Sequence, residues 1–168
     1  MRIAFHTTLN LYDDGGVSGD RRMARQIVAA LEGLGHAVDP VQAARGYLPS
    51  ADAAGFARHQ ADAERLIGRL LAGYRSGSPR PDLWFTYHNY YRAPDLIGPA
   101  MAAALGIPYV TAEASDSERR AFDEWSAQTA AVRHGLAVGD VHFYFTDRDR
   151  QGLEPWRSPA TALLELPP

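Results

Sequence analysis

The chain contains neither cysteine nor lysine, and it has no long apolar run. The lack of cysteine excludes disulfides, thiolate metal sites and a cysteine nucleophile, and it fits a reducing compartment. Because all 17 basic residues are arginine, the chain also lacks the phosphate-binding lysine of Walker motifs, Schiff-base chemistry and a lysine general base. No apolar stretch approaches the roughly 20 residues that a membrane-spanning helix needs, and residue 1 leads into a strand-like segment with no signal-peptide pattern. We therefore expect a cytoplasmic protein without a transmembrane segment.

The size of the chain indicates a single globular domain, and its charge bears on possible partners. Its 168 residues are enough to bury roughly 70% of the unfolded surface without stabilising cross-links. We therefore expect one domain over residues 1–168. The formal net charge of −3 gives no electrostatic reason to expect a nucleic-acid partner.

Hydrophobic periodicity predicts strands and helices that alternate along the chain. Residues 42–56 are predicted to be irregular. The predicted strands cover 2–7, 83–87, 107–113, 141–146 and 160–166. Residues 35–38 are predicted to lead into a further strand, the second along the chain. The predicted helices cover 21–34, 58–75, 94–105, a long segment after residue 115, and 147–156. This alternation predicts an α/β protein: a Rossmann-like, doubly wound parallel sheet of about six strands with helices on both faces.

The long helix after residue 115 is predicted from a local capping pattern. Ser115 is followed three positions later by Glu118, which is the spacing of a capping box. Its expected buried stripe consists of residues spaced three and four apart: Phe122, Trp125, Thr129, Val132 and Leu136.

Candidate site residues follow the predicted third and fourth strands. In open parallel sheets, ligands bind beyond the carboxyl ends of the strands. His88, Asn89, Tyr90 and Tyr91 come at the end of the third strand and combine hydrogen-bonding groups with aromatic rings suited to stacking on sugars. Glu113 closes the fourth strand at the same edge, where it could bind a hydroxyl ligand, orient a histidine, or act only as an acidic group at a helix N-terminus.

A glycine-containing loop follows the first strand and precedes the first helix. Such a loop and the first helical amides form a site for phosphate or another anion, and the loop here contains Gly15, Gly16 and Ser18. A complete dinucleotide fingerprint would begin directly after the strand, whereas seven residues, 8–14, separate this strand from the glycines. Asp39 has the spacing of a ribose-binding acid but falls inside the predicted second strand. These departures count against a nicotinamide-dependent oxidoreductase.

The histidines show no metal-ligand spacing, so we predict no metal site. His6 ends the first strand, where it could face the same cleft or be a satisfied buried histidine. There is no G-x-S-x-G nucleophile elbow.

Several motifs in order resemble the amino-terminal domain of GT-B-fold glycosyltransferases, most closely the large retaining group called family four. They are MRIAF at 1–5, GGV at 15–17, LEGLGHAV at 31–38, PDLWF at 81–85, ALGIPYVT at 104–111, DVHFYFT at 140–146 and LELPP at 164–168. Each motif is weak alone, but together they span essentially the whole chain.

The resemblance implies that residues 1–168 are the acceptor-binding half of a glycosyltransferase of hexosyltransferase type. A carboxy-terminal domain outside these residues would hold the nucleoside diphosphate sugar, which is a co-substrate, and no cofactor is expected. His88 and Glu113 would then be catalytic, Asn89, Tyr90 and Tyr91 would bind a hydroxyl acceptor, and this chain alone would be inactive. Many members have a histidine just after the fourth strand, and Glu113 stands in that region here.

Besides the glycosyltransferase and the disfavoured oxidoreductase, one other class of protein stays open. The chain could be a stand-alone Rossmann-like module that binds a nucleotide or sugar, or pairs with another subunit, without catalysis. An apolar face left by an absent partner domain could also make the chain self-associate.

Overall fold

The computed structural model describes residues 1–12 and 18–166. The strands are β1 (Arg2–Thr7), β2 (Ala37–Pro40), β3 (Leu83–Asn89), β4 (Tyr109–Ala114), β5 (Val141–Tyr144) and β6 (Ala162–Glu165). The helices are α1 (Gly19–Gly33), α2 (Ala53–Arg75), α3 (Gly98–Leu105), α4 (Ser126–Val138) and α5 (Asp147–Leu153), with a short 3-10 helix at Glu118–Ala121.

The six strands form one parallel sheet in the order β2-β1-β3-β4-β5-β6, which confirms the predicted fold class. Strand alternation sends successive side chains to opposite faces. On β1, Ile3 and Phe5 pack in a cluster with Val28 of α1, whereas Ala4 packs with Leu66 of α2. The sheet therefore has helices on both faces. No helix among the described residues is long and apolar enough to cross a membrane.

The first two long helices begin earlier than predicted because polar residues cap them. The Ser18 hydroxyl oxygen accepts the amide of Arg21 at 3.2 Å, so α1 starts at Gly19 rather than at residue 21. The Asp52 carboxylate accepts the amides of Ala54 and Gly55, so α2 starts at Ala53. The prediction that 42–56 is wholly irregular is wrong for the last four of these residues.

Two other helix starts were predicted too early. The prediction of a helix from Pro94 is wrong, because α3 starts at Gly98 and the proline in its first turn is Pro99. The predicted capping box at Ser115 is also wrong. The amide of Ser115 donates to the Asn89 carbonyl, and α4 does not begin until Ser126.

The predicted stripe of α4 is correct for four of its five members. Trp125, Thr129, Val132 and Leu136 are buried, whereas Phe122 lies before the helix and is 85% exposed. β1 has its predicted bounds, and β3, β4, β5 and β6 differ from theirs by at most two residues at either end, as expected for pattern-based limits.

Candidate functional site

A cavity with a volume of about 160 Å³ lies between α2 and the segments that follow β1, β2 and β3. Its floor is formed at the end of β1 by His6 and Thr8. The segment after β2 approaches this floor closely, since the Gly46 amide donates to the Thr8 carbonyl at 3.0 Å. A Cβ on Gly46 would lie 2.9 Å from that carbonyl oxygen, so the approach requires glycine.

His6 at this cavity faces a buried carboxylate. His6 Nδ1 and Asp95 Oδ1 are 3.3 Å apart, and their side chains are 5% and 0% exposed. The two atoms are close but are not aligned as a hydrogen bond. Catalytic hydrogen bonds are often loose in a ligand-free protein and tighten when the substrate binds. The pair therefore has the geometry of a histidine oriented by a carboxylate.

Four hydrogen-bond donors hold the Asp95 carboxylate in place. Its Oδ1 accepts the amides of Ile97 at 2.9 Å and Gly98 at 2.8 Å. Its Oδ2 accepts the hydroxyls of Thr86 at 2.6 Å and Tyr109 at 2.9 Å. So many donors fix the position of the carboxylate and favour its ionised form.

The electrostatic balance at Asp95 keeps it charged despite complete burial. Burial alone would raise the pKa of Asp95, but the His6 imidazole and the hydrogen bonds from Gly98 and Thr86 outweigh it and hold the pKa well below its usual range. The same surroundings act on the neighbouring phenol, because burial and the Asp95 charge raise the pKa of Tyr109 well above its ordinary value.

A second polar group lies at the same edge of the sheet but on the α1 face. Strand alternation would place His88 on the α2 face with Thr86. Instead, His88 has a φ of 64° and its ring lies beside that of Tyr87, 4.1 Å between centroids. Glu113 on the adjacent strand has a φ of 57° and forms a hydrogen bond with Tyr87. Left-handed backbone at non-glycine residues costs about 1–3 kcal/mol each and concentrates at functional sites.

We call His88, Glu113 and Asp20 the His88 cluster. His88 Nδ1 lies 3.8 Å from Glu113 Oε2, and His88 Nε2 lies 3.5 Å from Asp20 Oδ1. Burial lowers the pKa of His88, and the two carboxylates oppose this shift only in part. Burial, followed by the Glu113 carboxylate, raises the pKa of Tyr87. The cluster therefore presents two carboxylates beside an imidazole that favours its neutral form.

The structure brings His88 and Glu113 together, as the sequence predicted for the edge formed by β3 and β4. Their catalytic role stays a prediction. Ser18 lies at the start of α1, where its hydroxyl oxygen caps the helix. Gly15 and Gly16 lie outside the described residues.

The three residues predicted to bind the acceptor have structural contacts of their own. Asn89 is fully buried, and its Oδ1 accepts the amide of Asp95 at 2.9 Å, so its side chain supports the loop after β3 rather than facing solvent. Tyr91 packs edge-on against Trp125 with 5.0 Å between ring centroids, and Tyr90 packs edge-on against Tyr91. Burial raises the pKa of Tyr90 to about 12. Of the three, only Tyr90 and Tyr91 keep part of their surface exposed.

Sequence patterns did not identify Asp95 or the pairing of His6 with it. One local signal was present: Asp95 comes three residues before the first residue of α3, where an acidic side chain can accept amide hydrogen bonds. Within the described residues, no group of three or more histidine, aspartate or glutamate side chains is arranged to hold a metal ion.

Comparison with known proteins finds a likeness in fold to solved structures. No protein-family model and no curated protein matches the chain. A UDP-glucosyltransferase from Polygonum tinctorium, described as capable of glucosylating indoxyl and solved in complex with 3,4-dichloroaniline, matches in structure with a TM-score of 0.50 and 9% sequence identity. The match covers 99% of this chain and 52% of that one, so the chain spans about half of its length. The chain therefore has a Rossmann-like, glycosyltransferase-like fold.

Proposed function

We propose that this chain is the acceptor-side part of a nucleotide-sugar-dependent glycosyltransferase, in which His6 takes the proton of an acceptor hydroxyl. The observation that carries the proposal is the His6–Asp95 pair at the wall of the cavity. The cavity volume of about 160 Å³ is close to that of an engineered cavity of about 150 Å³ that binds benzene. The buried part of the acceptor is accordingly about one ring in size.

The proposed reaction joins the acceptor oxygen to the anomeric carbon of the donor sugar. The bond from that carbon to the diphosphate oxygen breaks, the nucleoside diphosphate leaves, and the acceptor proton moves to Nε2 of His6. Asp95 faces Nδ1, which places the imidazole proton on Nδ1 and leaves the Nε2 lone pair for the acceptor. The imidazolium formed by proton transfer is stabilised by the Asp95 carboxylate.

The presence of a base favours inversion at the anomeric carbon. A base-activated oxygen attacks on the face opposite to the leaving group, as in inverting glycoside hydrolysis, where a base activates water. The proposal therefore departs from the retaining chemistry that the family-four resemblance implies, and it moves the catalytic histidine from His88 to His6. The reason is the cavity: His6 lines a space large enough for an acceptor ring, whereas His88 lines only a small depression at the N-terminus of α1.

We assign the His88 cluster to sugar hydroxyls rather than to donor phosphates. Its two carboxylates accept hydrogen bonds from hydroxyls but repel a phosphate group. Burial also keeps His88 from supplying a compensating positive charge, because it lowers the pKa of the imidazole. The diphosphate would then be bound by a second domain, as the resemblance to GT-B-fold glycosyltransferases implies, and the chain spans only about half of the length of the UDP-glucosyltransferase.

The test is a transfer assay on the protein in its native reading frame, with a panel of nucleoside diphosphate sugars and small phenols. The informative variant is His6→Gln, because a glutamine amide can still donate to Asp95 but cannot act as a base. His134→Gln is the matched control, since His134 is exposed on α4. We expect His6→Gln to lower kcat by about 10²–10⁴-fold, with acceptor KM little changed.

Three outcomes separate the alternatives. Loss of kcat in His6→Gln alone supports the proposal. Equal rates in both variants exclude His6 as the base. Binding of nucleotide or phenol without any transfer across the panel favours the non-catalytic binding module.

A further inference from the structure

We infer that the acceptor carries an anionic group, a carboxylate or a phosphate, in addition to its hydroxyl. This inference rests on the proposed function and names the substrate class for the same cavity. The observation is a set of arginines on two walls: Arg45 in the segment after β2, and Arg65 and Arg69 on α2. The only acidic residue among the described cavity-lining residues is Asp62.

The positive charge of these arginines is only partly neutralised. Arg65 pairs with Asp62 one turn earlier on α2. Arg69 forms no ion pair or hydrogen bond with the part of the chain that the structure describes. Arg45 donates from Nε to the Leu9 carbonyl at 3.1 Å, and its guanidinium lies over the Tyr47 ring, so its terminal nitrogens are left to bind a ligand. Arg45 and Arg69 therefore line the cavity without an ion-pair partner among the described residues.

The rest of the lining suits the body of a small ring. Leu66 on α2 and Pro94, Leu96 and Ile97 after β3 supply an apolar surface. An acceptor placed between these walls has its ring on the apolar side, its hydroxyl at His6 and its anion at the arginines. Guanidinium groups bind both carboxylate and phosphate through paired N–H donors, so this chemistry is shared by the two anions.

The solvated surface of a helix is the competing explanation, because exposed arginines often bind nothing. Calorimetric titration of the 168-residue chain with matched probes distinguishes the two. The carboxylate arm compares 4-hydroxybenzoate with its neutral counterpart 4-hydroxybenzamide. The phosphate arm compares 4-hydroxyphenyl phosphate with its neutral counterpart hydroquinone. Acetate and inorganic phosphate test the anions without a ring.

We expect at least one anionic probe to bind about ten-fold more tightly than its neutral counterpart, and the arm that shows this identifies the anion. Arg69→Gln should weaken binding of that probe by about five-fold, the upper range for an exposed ion pair. Arg25→Gln, an exposed arginine on α1, is the matched control and should leave binding unchanged.

Equal binding of the charged and neutral probes, or equal loss in both variants, overturns the inference. Binding of acetate or inorganic phosphate as tightly as the ring-bearing probes also overturns it, because the site would then be a plain anion site. Different results contradict this inference and the proposed function. Transfer to neutral phenols as fast as to anionic ones contradicts only the inference, whereas full activity of His6→Gln contradicts only the proposed base.

Discussion

Replacing Asp95 with asparagine changes one atom and one charge at the centre of the proposed site. The amide oxygen can take the place of Oδ1 and still accept from Ile97 and Gly98. The amide nitrogen then stands where Oδ2 accepts the hydroxyls of Thr86 and Tyr109. Those two charge-assisted bonds are lost, and each is stronger than a neutral bond by about 1 kcal/mol.

The magnitude follows from these contacts. Two lost charge-assisted bonds, together with the His6 imidazole left without its carboxylate, lower the free energy of unfolding by about 3 kcal/mol. For a chain of this length, that corresponds to a fall in Tm of about 6–12 °C. The loss is large because the group is fully buried and water cannot replace the missing acceptor.

The assay is urea unfolding at pH 7, followed by tryptophan fluorescence, with thermal unfolding in parallel. Glu64→Gln is the matched control, because Glu64 is exposed on α2 and forms no ion pair or side-chain hydrogen bond with the described part of the chain. The control should stay within about 0.5 kcal/mol of the parent protein. An Asp95→Asn variant that is equally unaffected would refute the reasoning, since it would mean that Asp95 is not an ionised, fully hydrogen-bonded carboxylate.

Two further predictions concern the packing around this network and the response to acid. Gly98→Ala should destabilise the fold by about 1–3 kcal/mol, because its Cβ would lie 2.6 Å from Tyr109 Cε2 and 2.8 Å from Trp84 Nε1. Gly33→Ala is the control: open space surrounds the new Cβ, so this variant should be neutral or stabilising in the same urea assay. Burial lowers the pKa of His142, so its contribution to stability is complete above about pH 6.5 and is lost as the pH falls through the lowered folded value. Urea midpoints at pH 7.5 and 5 should show this loss, and an unchanged pH dependence in His142→Asn would count against it.

The sheet and the first two helices could be predicted because apolar spacing reports burial directly. Leu66 and its neighbours at three- and four-residue intervals gave α2, and a continuous apolar run gave β3. The start of α4 could not be predicted in this way. The local capping pattern at Ser115 is overridden by tertiary contacts: its amide bonds to Asn89, and Asp116 next to it forms a two-point ion pair with Arg133.

The site was only partly predictable for a related reason. Parallel strands brought His88 and Glu113 to one edge, and this followed from topology alone. Their left-handed backbone did not, because a positive φ is uncommon in non-glycine residues and no pattern in the sequence marks it. That backbone turns both side chains away from the α2 face, so His88 does not lie on the side of the sheet that carries the cavity. His6 lies on β1 and Asp95 lies in the segment after β3, and no local pattern reports a contact between residues so far apart in the sequence.

The most direct test of the central claim is a crystal structure of the protein with a phenolic acceptor bound. We expect the acceptor ring to lie between α2 and the segment after β3, with its hydroxyl oxygen about 2.6–3.2 Å from Nε2 of His6. An acceptor bound at the His88 cluster, with its hydroxyl against Glu113 and the cavity beside His6 unoccupied, would contradict it.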